Sequence, residues 1–318
     1  MPSPPPGAAD AAPALAVDGL VKAYHGTTVV DDLTLSAERG QVTCLLGPNG
    51  AGKTTTVEIC QGLRRADRGR VRVLGLDPVA DGPRLRPRIG VMLQEGGLPP
   101  GARAGDVLTH LARLHANPQP PRALLDLLDL GRQARTTVRR LSGGERTRLA
   151  FAAALVGRPE FVFLDEPTAG LDPRGRHAVG EIVTALRADG VTVLLSTHQM
   201  DEAERLADEI VIVDRGTVVA RGTPGELTAG GDGRLRFTAR PGLDLSGLHT
   251  ALPSVITVSE VAPGHYLARC PQVTDLGPQV IATVATWCSE QGVNPEGLAV
   301  QRRTLEDVFL DLTGRTLR

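Results

Sequence analysis

Residues 41–63 read Gln41-Val42-Thr43-Cys44-Leu45-Leu46, then Gly47-Pro48-Asn49-Gly50-Ala51-Gly52-Lys53-Thr54, then Thr55-Thr56-Val57-Glu58-Ile59-Cys60-Gln61-Gly62-Leu63. The first run is short and largely apolar, the second is a glycine-rich turn, and Thr54 to Leu63 has a helical pattern. Strand, loop and helix in that order are the context a phosphate-binding motif requires. The central octet matches G-x-x-x-x-G-K-[ST] in full. Its glycines allow backbone N–H groups to turn inward around anionic phosphates. The positive N-terminal end of the following helix points at the same place. Lys53 supplies a compact charge for the terminal phosphates, and the Thr54 hydroxyl is a ligand for Mg2+. A glycine-rich turn can arise by chance; the flanking strand and helix weigh against that here.

Outward from this segment, Val17 to Tyr24 alternates loosely as a first strand, and Arg70 to Leu74 and Ile89 to Leu93 are further strand candidates. Val107 to Leu114, Pro121 to Leu130 and Glu145 to Leu155 carry amphipathic helical spacing, which predicts a helical subdomain at about residues 96–157. Strand-like runs resume at Phe161 to Leu164, Val191 to Ser196 and Ile210 to Val213, apolar enough to be buried on both faces. Helices are expected between them, near Arg174 to Asp189 and Met200 to Leu206.

The run Phe161-Val162-Phe163-Leu164 ends in Asp165-Glu166. A buried strand ending in acids places them at the carboxyl edge of a parallel sheet, beside the phosphate loop. Asp165 would hold Mg2+ through a water, and Glu166 would polarise an attacking water as general base. Alone, such a pair is equally well read as a helix N-cap. Leu141-Ser142-Gly143-Gly144-Glu145 opens a helical run. Ser142 and the two glycines make a second anion-binding helix start. Ser142 and Glu145 also have capping-box spacing, and both readings can hold together.

The order of these motifs resembles the ATP-binding domain of the ABC transporter family, across roughly residues 14 to 230. The Leu141-Ser142-Gly143-Gly144 segment resembles the signature that separates this family from other P-loop ATPases. The resemblance implies an α/β P-loop NTPase core with an inserted helical subdomain, ATP and Mg2+ as ligands, and hydrolysis of ATP. It places Thr55, beside the P-loop, among the nucleotide-binding residues. It implies that Gln94 contacts Mg2+ and the attacking water, that Tyr24 stacks on adenine, and that His198 contacts the terminal phosphate. Asp172, in Ala169-Gly170-Leu171-Asp172, would lie in the loop that crosses a dimer interface. The signature of a second copy, or of a second ABC ATPase, would close each P-loop, giving two composite sites related by a two-fold axis. The family most often has Gln where this chain has Glu145. A carboxylate there would repel nucleotide unless it turns back to cap its own helix, and capping is the expectation.

Only Lys22 and Lys53 are lysines, and Arg carries the remaining positive charge. The formal net charge is −1, with neither a basic excess nor a basic stripe evident, so no nucleic-acid partner is expected. Aromatics make up 3% of the chain, so the core must be built from Leu, Val, Ile and Ala. Cys44, Cys60, Cys270 and Cys288 form no metal spacing and read as reduced buried thiols. No apolar run approaches the roughly 18–20 residues that span a bilayer. Residues 1–13 are Pro- and Ala-rich and read as a disordered tail without signal-peptide features, so a peripheral protein on the cytoplasmic face of a membrane is expected.

Gly230, Gly231 and Gly233 predict a boundary, with a small α+β domain over residues 231–318. Its spacing suggests strand, helix, two strands, helix, strand and a final helix, an order that fits a split βαβ sandwich. In the final helix Thr304 caps, and Leu305, Val308, Phe309 and Leu312 form an apolar stripe. The stretch Thr304 to Gly314 resembles the tail of drug-resistance exporter ATPases of the daunorubicin type. That resemblance implies a separate polytopic permease, docked between about Glu95 and Leu114, and export of a drug, antibiotic or lipid-like compound. A soluble ABC ATPase acting on ribosomes or DNA, or an importer ATPase, are the competing readings. The two-domain chains of ribosome-associated members and the long coiled coils of chromosome-associated members are both missing here.

Overall fold

The run ahead of the glycine-rich turn is apolar because its strand is covered on both faces. The computed structural model describes residues 12–92, 97–229, 233–270, 276–301 and 303–313. They divide into two compact units, one up to Pro224 and one from Gly225. In chain order the first comprises β1 (Leu15–Tyr24), β2 (Thr27–Ala37), β3 (Val42–Leu46), α1 (Lys53–Cys60), β4 (Arg68–Val73), α2 (Gly82–Leu85) and β5 (Ile89–Met92). There follow α3 (Ala104–Ala112), α4 (Pro121–Leu127), α5 (Gly143–Leu155), β6 (Phe161–Asp165), α6 (Pro173–Ala188), β7 (Thr192–Thr197), α7 (Met200–Leu206), β8 (Glu209–Asp214) and β9 (Thr217–Gly222). The short α8 (Pro224–Thr228) lies at the division.

The six-stranded sheet has the order β5-β6-β7-β3-β8-β9 and is parallel apart from its β8–β9 edge. β3, β6 and β7 are buried at every position. On β6, Phe161 and Phe163 share a face, their ring centroids 4.6 Å apart, and join Val57, Ile59 and Cys60 of α1 in one core. Register then places the chemistry. Leu46 lies opposite Thr197, and Asp165 opposite Ser196. The chain therefore leaves β3, β6 and β7 at one edge, and the residues after all three strands meet there.

A second sheet, β2-β1-β4, is antiparallel and packs its inner face on the same core. β2 was not expected from the sequence. Its buried positions Val30, Leu33, Leu35 and Ala37 alternate, but Asp31-Asp32 interrupts them, with Asp32 in the left-handed region at φ 50°. The register of β1 against β2 shifts nearby. Such a bulge breaks the period of two on which strand reading depends. The antiparallel edge β9 and the short α2 and α8 also lie outside the expected elements. α3, α4 and α5 form the inserted helices between β5 and β6.

The second unit contains β10 (Gly233–Thr238), α9 (Ser246–Ala251), β11 (Thr257–Ala262), β12 (His265–Cys270), α10 (Pro278–Glu290), β13 (Glu296–Gln301) and α11 (Leu305–Thr313). The sheet order β11-β12-β10-β13, all antiparallel, is that of a split βαβ sandwich. Phe237 and Tyr266 stack at 5.0 Å, in a core that includes Val284, Trp287 and Cys288 of α10. Thr304 caps α11, accepting from the Asp307 N–H at 3.3 Å, and Asp307 also pairs with Arg234. The apolar stripe of α11 is narrower than expected: Leu305, Val308 and Phe309 are buried, while Leu312 is 47% exposed. All four cysteines are buried free thiols. Among the described residues no helix is long and apolar enough to cross a membrane.

Candidate nucleotide site

The turn between β3 and α1 is shaped by two close approaches. A Cβ on Gly47 would lie 2.2 Å from the Val213 carbonyl oxygen. One on Gly52, which has φ +97°, would lie 2.6 Å from that of Val29. Only glycine fits either place. The loop borders a cavity of about 350 Å3 lined by Asn49, Gly50, Gly52, Lys53, Thr54 and Thr55, with Val29 and Glu166. Pro48 and Ala51 complete the turn, the Ala51 N–H donating to the Pro48 carbonyl at 3.2 Å.

Lys53 is 6% exposed, and its ammonium donates to the carbonyls of Gly47 at 2.7 Å and Pro48 at 3.1 Å. Burial lowers its pKa, while the charges of Glu166 and Asp165 act the other way. Glu166 Oε1 is 3.8 Å from Lys53 Nζ, and Glu166 Oε2 is 2.8 Å from His198 Nδ1. The backbone of Glu166 sits in the left-handed region, φ 52°, anchored by its N–H to the Ser196 carbonyl at 3.0 Å. The Ser196 hydroxyl donates to Asp165 Oδ1, so one serine braces both acids. Burial pushes the Asp165 carboxyl above its ordinary range, against hydrogen bonds from Ser196 and Thr54.

The Thr54 hydroxyl and the Asp165 carboxylate thus lie close to one another. Mg2+ takes one or two protein oxygens and fills its octahedron with waters and substrate phosphates. This donor pair fits that demand. Among the described residues no cluster of three or more His, Cys, Asp or Glu offers an all-protein cage. Gln94 lies outside the described residues.

The signature residues open elsewhere. Ser142 caps α5: its hydroxyl accepts from the Glu145 N–H at 3.2 Å, and Glu145 Oε2 accepts from the Ser142 N–H at 2.7 Å. Gln133 Nε2 holds the other Glu145 oxygen at 2.9 Å. These bonds keep the Glu145 carboxyl below its usual range, the Ser142 N–H contributing most. Glu145 turns back onto its own helix. Ser142, Gly143, Gly144 and Asp172 line a cleft of about 660 Å3 that includes none of the P-loop residues. Asp172 caps α6, accepting from the Gly175 N–H at 2.8 Å.

Tyr24 does not line the P-loop cavity. Both Lys22, whose ammonium is 5.4 Å from the centroid, and Arg64, at 5.6 Å, lie over its ring. Two residues the sequence reading did not single out take part in the site. Ser196 is the first, and the signal was a hydroxyl following the apolar run Val193-Leu194-Leu195 near the end of β7. Glu202 is the second: one turn beyond His198 it is 2% exposed, with burial pushing its carboxyl above the ordinary range. An acid inside the apolar positions of α7 was its only signal.

This arrangement has known counterparts. The family pattern described as ABC transporter matches residues 30–169. The daunorubicin resistance ATP-binding protein DrrA3 of Streptomyces coeruleorubidus is 42% identical over 308 residues, covering 95% of this chain and 96% of its own. The Nod factor export ATP-binding protein I of Ralstonia nicotianae is 39% identical, covering 96% and 95%. A solved ATP-binding subunit of an ABC transporter superposes with a TM-score of 0.62 at 31% identity, over 67% of this chain and 91% of its own. A dimeric cassette in a post-hydrolysis state, bound to ADP and Pi, shares the fold at TM-score 0.61 and 24% identity, over 66% and 98%. With its P-loop, acids and signature in the places described, the chain belongs to the ABC transporter family as an ATP-binding, ATP-hydrolysing subunit.

Proposed function

We propose that this ATPase works as one half of a head-to-tail pair and drives a separate membrane permease outward, with a drug, antibiotic or lipid-like compound as cargo. The observation that carries the pairing is the separation of the two clefts. Lys53 and Glu166 line one, with His198 bonded to Glu166, and Ser142 and Asp172 line the other. A second copy turned by a two-fold axis brings each signature to the opposite P-loop, so one sequence makes two composite sites.

Within each site the P-loop amides and Lys53 bind the phosphates. Glu166 takes a proton from water, and His198 orients the Glu166 carboxylate. Thr54 and Asp165 would hold Mg2+, joined by Gln94 on the family pattern; the ion supplies charge neutralisation at the terminal phosphates. Tyr24 would stack on adenine.

The outward direction is supported by relatives named for drug resistance and for export, matched over nearly their full length. A mostly apolar groove of about 350 Å3, lined by residues including Gln61, Ile89, Leu98, Leu111 and Ala150, offers the permease a seat. The test is affinity capture of the Glu166→Gln variant with ATP from gently solubilised native membranes. A stoichiometric polytopic membrane protein supports the reading. Ribosomal proteins or DNA in its place would replace it with a soluble ATPase.

A further inference from the structure

The net charge of −1 hides a local excess, and the expectation of no basic stripe fails between residues 64 and 88. That stretch holds eight Arg against three Asp in the sequence. In the fold four of them come together beyond the C-terminal end of α1, the opposite end from the P-loop. Arg64, Arg65, Arg70 and Arg72 line a cleft of about 640 Å3 whose remaining wall includes Val71, Pro78 and Val79. Some of this charge is matched. Arg64 pairs with Glu58, Arg72 lies 3.5 Å from Asp77, which also lines the cleft, Arg84 lies 3.8 Å from Asp81, and Arg88 pairs with Glu160 at 2.7 Å. Arg65, Arg68, Arg70 and Arg86 are exposed and have no acidic partner among the described residues.

Arginines at 68, 70 and 72 on β4 can be explained as guards of a sheet edge, since β4 is the outer strand of its sheet. That explanation does not reach Arg65, which lies outside the strand and lines the cleft. Nor does it explain an apolar side chain left open beside the guanidiniums: Val79, in the wall of the cleft, is 41% exposed. Guanidinium forks match phosphate oxygens. An exposed aliphatic tip among them matches the boundary between headgroups and acyl chains. A nucleic-acid backbone offers the phosphates without the apolar layer.

We propose that this arginine-lined cleft is a contact surface for anionic phospholipid headgroups, holding the ATPase against the membrane independently of the permease. Each arginine near an anionic surface adds to the attraction, which salt screens.

The test is co-sedimentation of the full chain with phosphatidylcholine vesicles, with and without phosphatidylglycerol, at low and high salt. Binding is expected only with phosphatidylglycerol and should weaken in salt. The double variant Arg65→Glu/Arg70→Glu should bind at least about tenfold more weakly, with an unchanged ATPase rate showing that it is folded. Val79→Ser should weaken vesicle binding and leave its salt dependence in place. Wild-type protein that ignores phosphatidylglycerol vesicles, or a double variant that binds them equally well, overturns the proposal. So does retention on duplex DNA that the double variant loses while vesicles are ignored. The assay contains no permease, so its failure and a failure of permease capture are separate results.

Discussion

Glu166 carries the site's most constrained backbone, left-handed at φ 52° just before Pro167. A non-glycine residue held there costs on the order of 1–3 kcal/mol and persists only where its surroundings fix it. The bond to Ser196 fixes it, and the carboxylate is thereby aimed between Lys53 and His198. Glu166→Gln keeps the shape and removes the base. Turnover should fall about 10²–10⁴-fold while nucleotide affinity is retained, measured by single-turnover hydrolysis and nucleotide titration. Glu202 makes a different prediction. Burial raises its carboxyl above the ordinary carboxylate range, so the folded state binds its proton more tightly than the unfolded state. Any stability tied to that proton is present below the unfolded pKa and lost as pH rises through the native one. Wild type should therefore lose stability relative to Glu202→Gln as pH climbs above the carboxylate range, and a pH-independent difference in urea midpoints would contradict this. At this scale the P-loop, the paired acids and His198 were legible because motif order identifies them. Ser196 was not, since a strand-end serine is ordinary until its two partners are seen.

The helix start at Ser142 combines a cap with a binding edge. Ser142→Ala removes one half of a reciprocal pair and should cost about 1 kcal/mol. That is roughly 2–4 °C in the melting temperature of a unit of this size. Glu145→Gln preserves both capping bonds in kind, because Gln serves the same box. Its nucleotide affinity should match wild type, while its melting temperature should fall slightly, because the bond from Gln133 to the second carboxylate oxygen and the folded state's preference for the ionised carboxyl are lost. A large gain in ATP-driven association would mean that the Glu145 carboxylate opposes nucleotide after all. The buried strands β3, β6 and β7 were legible as apolar runs, while β2 was not. Asp31-Asp32 reads as a turn in a linear sequence, and the bulge that accommodates it depends on pairing with β1. The narrow stripe of α11 was overread for a related reason. Periodicity shows which residues share a helix face, and the packing around that face decides how much of it is covered.

Across the whole chain, three parallel strands deliver Lys53, Glu166 and His198 to one edge, and the inserted helices carry Ser142 to another cleft. The sequence motifs named these parts without their separation, because spacing along a chain does not say which loops share a cleft. From that separation follows the proposal that a second copy completes the site. Sedimentation velocity of Glu166→Gln, with and without ATP, tests it most directly, alongside the double variant Glu166→Gln/Ser142→Arg. Monomer is expected without ATP, dimer with ATP, and monomer again when a bulky side chain replaces Ser142. A chain that stays monomeric with ATP bound, or a dimer that Ser142→Arg leaves intact, would contradict it.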